Sequence, residues 1–146
     1  MGVGMALAAF MLNEQAALPV ELFNQTIYGI VSDGDLMEGI SAEAASLAGH
    51  LGLGNIIYIY DCNGISIEGS TALTFSENVK MRFAAYNWQT LEIDGHDWEQ
   101  IEHALVAAKR ETSRPSLIIA KTRIADGSPH LVGSEKAHGS PLGKQE

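Results

Sequence analysis

Asp33 and Asn63 carry oxygen donors thirty residues apart, each close behind an apolar run: "QTIYGIVS" (25–32) before the first and "NIIYIYD" (55–61) before the second. A carboxylate, a carboxamide oxygen and a nearby backbone carbonyl make an all-oxygen donor set, which suits a hard cation, Mg²⁺ or Ca²⁺. Mg²⁺ is commonly held by one or two protein oxygens, with phosphate and water completing its shell, so the pair predicts a diphosphate ligand. Gly34 lets the backbone approach that phosphate without a Cβ. The same residues also fit simple turn chemistry, because Asp-Gly and Asn-Gly pairs are frequent in turns.

Holding these groups together requires two strands that end at the same edge of a sheet. The run 55–61 is continuous, β-branched and aromatic, as in a strand buried on both faces of a parallel sheet. Further strands are expected at 25–32, 88–93 and 116–121. Helices are expected over 3–17, ended by Pro19, and over 38–51, where Ala42, Ala44, Ala45, Ala48 and Gly49 allow close approach. Two more are expected over 77–86, capped by Ser76, and 98–110, capped by Asp97. The "DGD" at 33–35 reads as a turn. Alternation of strands and helices predicts an α/β fold, a three-layer sandwich around a mainly parallel sheet with right-handed crossovers. Residues 1–121 are expected to form its core, and 122–146, rich in Gly and Pro, a long irregular loop of the kind that is usually functional or disordered in compact domains. In such sheets ligands sit beyond the carboxyl ends of the strands.

The chain has 146 residues, 46% of them hydrophobic and 18% charged, enough to bury the core of one domain. Its net charge of −9 argues against nucleic acid and anionic membranes as partners. Cys62 is the only cysteine, which excludes an intrachain disulfide and points to a reducing cytoplasm. The apolar start "MGVGMALAAFMLNEQ" lacks a basic n-region and is too short to span a bilayer; a buried or interface helix is expected instead. Trp88, Trp98 and the methionines are expected in the core, and His96 of "DGHD" as a turn residue.

The stretch "SDGDLMEGISAEAASLAGHLGLGNIIYIYDCNGISIEG" (32–69) resembles the thiamin-diphosphate motif of transketolases, which runs from Gly-Asp-Gly to an Asn about thirty residues on. The similarity continues in order through "MRFAAYNW", "IDGHD", "RPSLIIAKT", "GSP" and "HGSPLG", and "VGMALA" fits near the start. The resemblance implies a thiamin-diphosphate-binding fold. It also implies transfer of a two-carbon ketol unit from a ketose phosphate to an aldose, as in the pentose phosphate pathway. Asp33, Asn63 and the Ile65 carbonyl would bind Mg²⁺ or Ca²⁺, Gly34 and Asn63 would touch the diphosphate, and His138 would contact cofactor and substrate. Lys121 would lie near the site, and Glu38 and Glu43 near the interface of a homodimer. A non-catalytic cofactor-binding or dimerisation module, or a related enzyme such as dihydroxyacetone synthase, are the alternatives.

Two positions depart from the family pattern: Ser32 stands where it has its first motif Gly, and Glu135 where it has a second histidine. The resemblance covers the middle of the family's first domain. The pyrimidine-binding domain, with the glutamate that activates the aminopyrimidine, has no counterpart in these residues. The 146 residues alone are therefore expected to form the metal and diphosphate half of a site and to show little or no ketol transfer.

Overall fold

The computed structural model describes residues 1–16 and 23–146. In chain order the elements are α1 (Gly2–Ala16), β1 (Ile27–Ser32), α2 (Asp33–Met37), α3 (Gly39–His50) and β2 (Ile56–Cys62). A hairpin, β3 (Ile65–Ser66) and β4 (Gly69–Ser70), follows, then α4 (Val79–Ala85), β5 (Gln89–Asp94), α5 (Trp98–Arg110) and β6 (Ser116–Lys121). The helix expected over 3–17 is α1; position 17 and Pro19 lie outside the described residues.

β1, β2, β6 and β5 form one parallel sheet in that order. Period-two alternation splits β2 and β6 between two cores. Ile56, Tyr60, Leu117 and Ile119 face α1, α3 and α4, together with Ala6, Ala45, Ala48, Phe83 and Trp88. Ile57 and Ile118 face α5 through Ala104 and Ala108, with Ile59, Leu91, Ile93 and Leu105 at the margins. Helices thus cover both faces of an α/β sheet, as the strand and helix alternation requires.

Trp88 ties the first of these cores together. It is 2% exposed, donates from Nε1 to the Ala45 carbonyl at 2.8 Å, and meets Phe83 edge-on with ring centroids 5.2 Å apart. Gly49 of α3 lies so close to the Tyr86 carbonyl that no Cβ fits between them. The small-residue stripe of α3 is therefore a packing surface against the α4–β5 turn.

Several sequence expectations are corrected. The "DGD" segment opens the short helix α2, because Asp35 caps it by accepting from both Ser32 N (2.8 Å) and Ser32 Oγ (2.9 Å). The cap of α4 is Asn78, whose Oδ1 accepts from Met81 N at 3.0 Å, so the helix begins two residues later than a Ser76 cap would allow. Asp97 caps α5 as expected, accepting from Glu99 N and Gln100 N. Trp98 is 84% exposed: it opens α5 at its first turn, ahead of the Ala104–Ala108 stripe that meets the sheet. Met1, Met5, Met11, Met37 and Met81 are exposed as well, so none of the five methionines belongs to the core. No helix among the described residues is long and apolar enough to cross a membrane.

Candidate functional site

β1 and β2 are neighbours in register, Ser32 opposite Asp61, so Asp33 and Asn63 leave the sheet at the same edge, beyond the strand carboxyl ends. There a cleft of about 810 Å³ is lined by Ser32, Gly34, Asp35, Asp61, Asn63 and Ile65, and by Thr122, Arg123 and His138 from the C-terminal segment. Its floor is apolar, formed by Ile30, Ile59, Ile93 and Ile118. The structure therefore brings Gly34, Asn63, Ile65 and His138 to one cleft. A Cβ on Gly34 would meet only Ser32 Oγ, at 3.9 Å, so this stretch of backbone is open to a ligand.

Asp33 stands behind the cleft, in a smaller hollow with Tyr60, Cys62 and Gly64. It is 3% exposed. One carboxylate oxygen, Oδ1, accepts from the Tyr60 hydroxyl. The other, Oδ2, is buried with no hydrogen-bond partner. Gly64 lines the same hollow, which sets Asp33 against the turn between Asn63 and Ile65. Burial pushes the Asp33 carboxyl above its ordinary value; the Tyr60 hydrogen bond and the Gly64 amide offset this in part, and the Asp61 charge adds to it. A buried anion with an unused oxygen is costly unless something positive meets it.

The Asn63 side chain is fixed from two sides. Oδ1 accepts from Ile65 N at 2.9 Å, an Asx turn, and keeps a second lone pair free. Nδ2 donates to Asp61 Oδ2 at 3.2 Å, while the other Asp61 oxygen accepts from the Thr122 hydroxyl. Tyr60 and Asp61, consecutive on opposite faces of β2, thus each hold one of the two oxygen-donor side chains. Sequence reading overlooked Tyr60 and Thr122; the period-two alternation of β2 signals which face Tyr60 takes, and Thr122, just past β6, has no such signal.

The remaining expectations are placed as follows. The Ser32 hydroxyl is spent on Asp35. Glu135, Glu38 and Glu43 are exposed. Lys121 is an exposed strand end beside Glu92 and Asp94, and it also lines the hollow that holds Asp33, so it lies near the site as expected. His96 lies outside the cleft, in the β5–α5 turn. Among the described residues no three His, Cys, Asp or Glu side chains converge as a metal cluster. Any cation here would rest on the mixed set of Asp33, Asn63 and a carbonyl. That donor set, with its orphaned carboxylate oxygen, fits a hard divalent ion.

The family model for "Transketolase, thiamine diphosphate binding domain" matches residues 1–146. Transketolase of Geobacillus stearothermophilus is 50% identical over 100% of this chain and 22% of its own length. The crystal structure of Campylobacter jejuni transketolase superposes with a TM-score of 0.91 at 54% identity, covering 97% of this chain and 22% of that one. A Pichia stipitis transketolase, solved in complex with sedoheptulose-7-phosphate, superposes with a TM-score of 0.85 at 40% identity over 94% of this chain and 21% of that one. The chain spans about a fifth of the length of these relatives. It belongs to the transketolase family, whose thiamine-diphosphate-binding domain its 146 residues match from end to end.

Proposed function

We propose that this chain forms the metal and diphosphate half of a transketolase-type site. In this reading Asp33, Asn63 and the Ile65 carbonyl hold Mg²⁺, Gly34 and Asn63 approach the diphosphate, and His138 reaches cofactor and substrate. The observation that carries it is Asp33 Oδ2, a carboxylate oxygen buried without a partner against the turn that bears the other two donors. Electrostatics point the same way. Asp35 and Asp61 line the cleft, where Arg123 is the one Lys or Arg among the described residues, and Asp33 lies behind it in a hollow that Lys80 and Lys121 also line. An anionic diphosphate entering so acidic a mouth needs a divalent cation between itself and the carboxylates.

Thiamin diphosphate, when bound, supplies the electron sink that ketol transfer between a ketose phosphate and an aldose requires. The chain's own residues serve the diphosphate end of that site. Asp33 and Asn63 anchor the charged end, the Gly34 backbone leaves room for phosphate oxygens, the isoleucines give the cleft an apolar lining, and His138 orients what lies above. Exposed Phe10, Met11 and Leu12 on α1 and Ile40 and Leu47 on α3 supply the apolar surface for a homodimer. The lone Cys62 suits a cytoplasmic setting.

These residues bring ligands to the diphosphate end only, so the 146-residue chain should bind thiamin diphosphate weakly, with Mg²⁺ required. It should release little two-carbon product from hydroxypyruvate. Calorimetric titration with and without Mg²⁺, on wild type and Asn63→Ala, tests the reading. Mg²⁺-dependent binding lost in the variant is the expected result; sub-micromolar affinity without Mg²⁺ would contradict it.

A further inference from the structure

The β5–α5 turn is docked on the first residues of the C-terminal segment. Gly95 N donates to the Lys121 carbonyl at 2.8 Å, and a Cβ on Gly95 would run into the Thr122 methyl. The His96 ring then uses both nitrogens. Nε2 accepts from Arg123 N at 3.0 Å, and Nδ1 faces Asp126 Oδ2 at 3.4 Å. The second Asp126 oxygen takes the Arg123 guanidinium at 2.8 Å. Accepting at Nε2 requires the hydrogen on Nδ1, the atom that meets Asp126, so both contacts select one tautomer.

From Arg123 the route to His138 is short. The Ile124 carbonyl accepts from Gly133 N at 2.8 Å, which bypasses residues 125–132. Ser134 then caps the 3-10 turn Glu135–Ala137, and His138 N donates to the Glu135 carbonyl at 2.9 Å. Ala125, just after Ile124, has φ of 53°, a conformation unfavourable to a residue with a Cβ. The Arg123–Asp126 pair and the bond from Ser128 N to the Ala125 carbonyl (3.0 Å) hold it there. Ile124, Ala125 and His138 all line the cleft.

We propose that His96 is a positioning residue: by accepting from Arg123 N it fixes the Ile124–Gly133 bridge and so sets where His138 stands in the cleft. The proposal rests on the reading that His138 serves cofactor and substrate. Calorimetry on His138→Ala tests that reading alone and does not bear on the loop anchorage.

The test uses His96→Gln and His96→Asn in the 146-residue chain. A Gln Oε1 reaches the place of Nε2 and can accept from Arg123 N. An Asn amide reaches only the place of Nδ1 and can donate to Asp126. Amide hydrogen exchange at Arg123 and Gly133 and the ring resonances of His138 are followed, with the Ile118 amide of β6 as internal reference. Loss of one hydrogen bond predicts about tenfold faster exchange at both amides in His96→Asn, and rates within about twofold of wild type in His96→Gln. The His138 resonances should move in the Asn variant alone. Unchanged exchange in His96→Asn, equal loss in both variants, or a matching rise at Ile118 would each overturn the proposal.

Discussion

Replacing Asp33 by Asn is expected to stabilise the metal-free chain while removing its Mg²⁺-dependent affinity for thiamin diphosphate. The carboxylate is 3% exposed and satisfies only one oxygen, through Tyr60. Asn keeps the acceptor for the Tyr60 hydroxyl and deletes the buried charge, at the cost of one buried N–H₂ group. Burying an unpaired charge is dearer than burying a neutral polar group, so a net gain of about 1 kcal/mol is expected. In a chain of this size that raises Tm by about 4 °C. The same change removes the only anionic ligand assigned to the cation. Loss of outer-shell partners alone weakens metal sites by about 10–100-fold, so a ligand itself should cost at least about 100-fold. Scanning calorimetry and cofactor titration on one preparation read both effects. A destabilised variant that still binds thiamin diphosphate in a Mg²⁺-dependent manner would refute the assignment.

The two tryptophans should respond very differently to truncation. Trp88→Ala empties the space between α3, α4 and β2, removes the Phe83 and Tyr58 ring contacts, and leaves the Ala45 carbonyl unpaired. A loss of about 3–5 kcal/mol is expected. Trp98→Ala, at a side chain 84% exposed, should change stability by less than about 0.5 kcal/mol. Urea denaturation of both variants measures the difference. Comparable losses would mean that the surface around Trp98 is covered in solution.

These tryptophans show where sequence reading reaches its limit. Both are large and apolar, and composition assigned both to the core; only the position of each relative to the packed stripe of its element separates them. The same holds for the methionines, whose apolar side chains lie on helix faces that this chain leaves uncovered. The sheet was legible because β2 is apolar on both faces and β1 and β6 repeat its β-branched character. The adjacency of β1 and β2 followed, and with it the shared edge of Asp33 and Asn63. Which groups orient those two was not legible. Tyr60, Asp61 and Thr122 act through side-chain geometry across strands up to 61 residues apart in sequence, which local pattern does not encode. The caps divide on the same ground. Asp97 was found because it stands directly before an amphipathic helix, whereas Asn78 competed with Ser76, and only the hydrogen bond to Met81 N decides between them.

The most direct test of the account is anomalous scattering from crystals of the 146-residue chain grown with Mn²⁺ in place of Mg²⁺ and with thiamin diphosphate at millimolar concentration. The account predicts one strong peak at the carboxyl ends of β1 and β2, within about 2.0–2.4 Å of Asp33 Oδ2, Asn63 Oδ1 and the Ile65 carbonyl oxygen. A peak bound elsewhere, with Asp33 Oδ2 still unpartnered and the diphosphate in place, would contradict it.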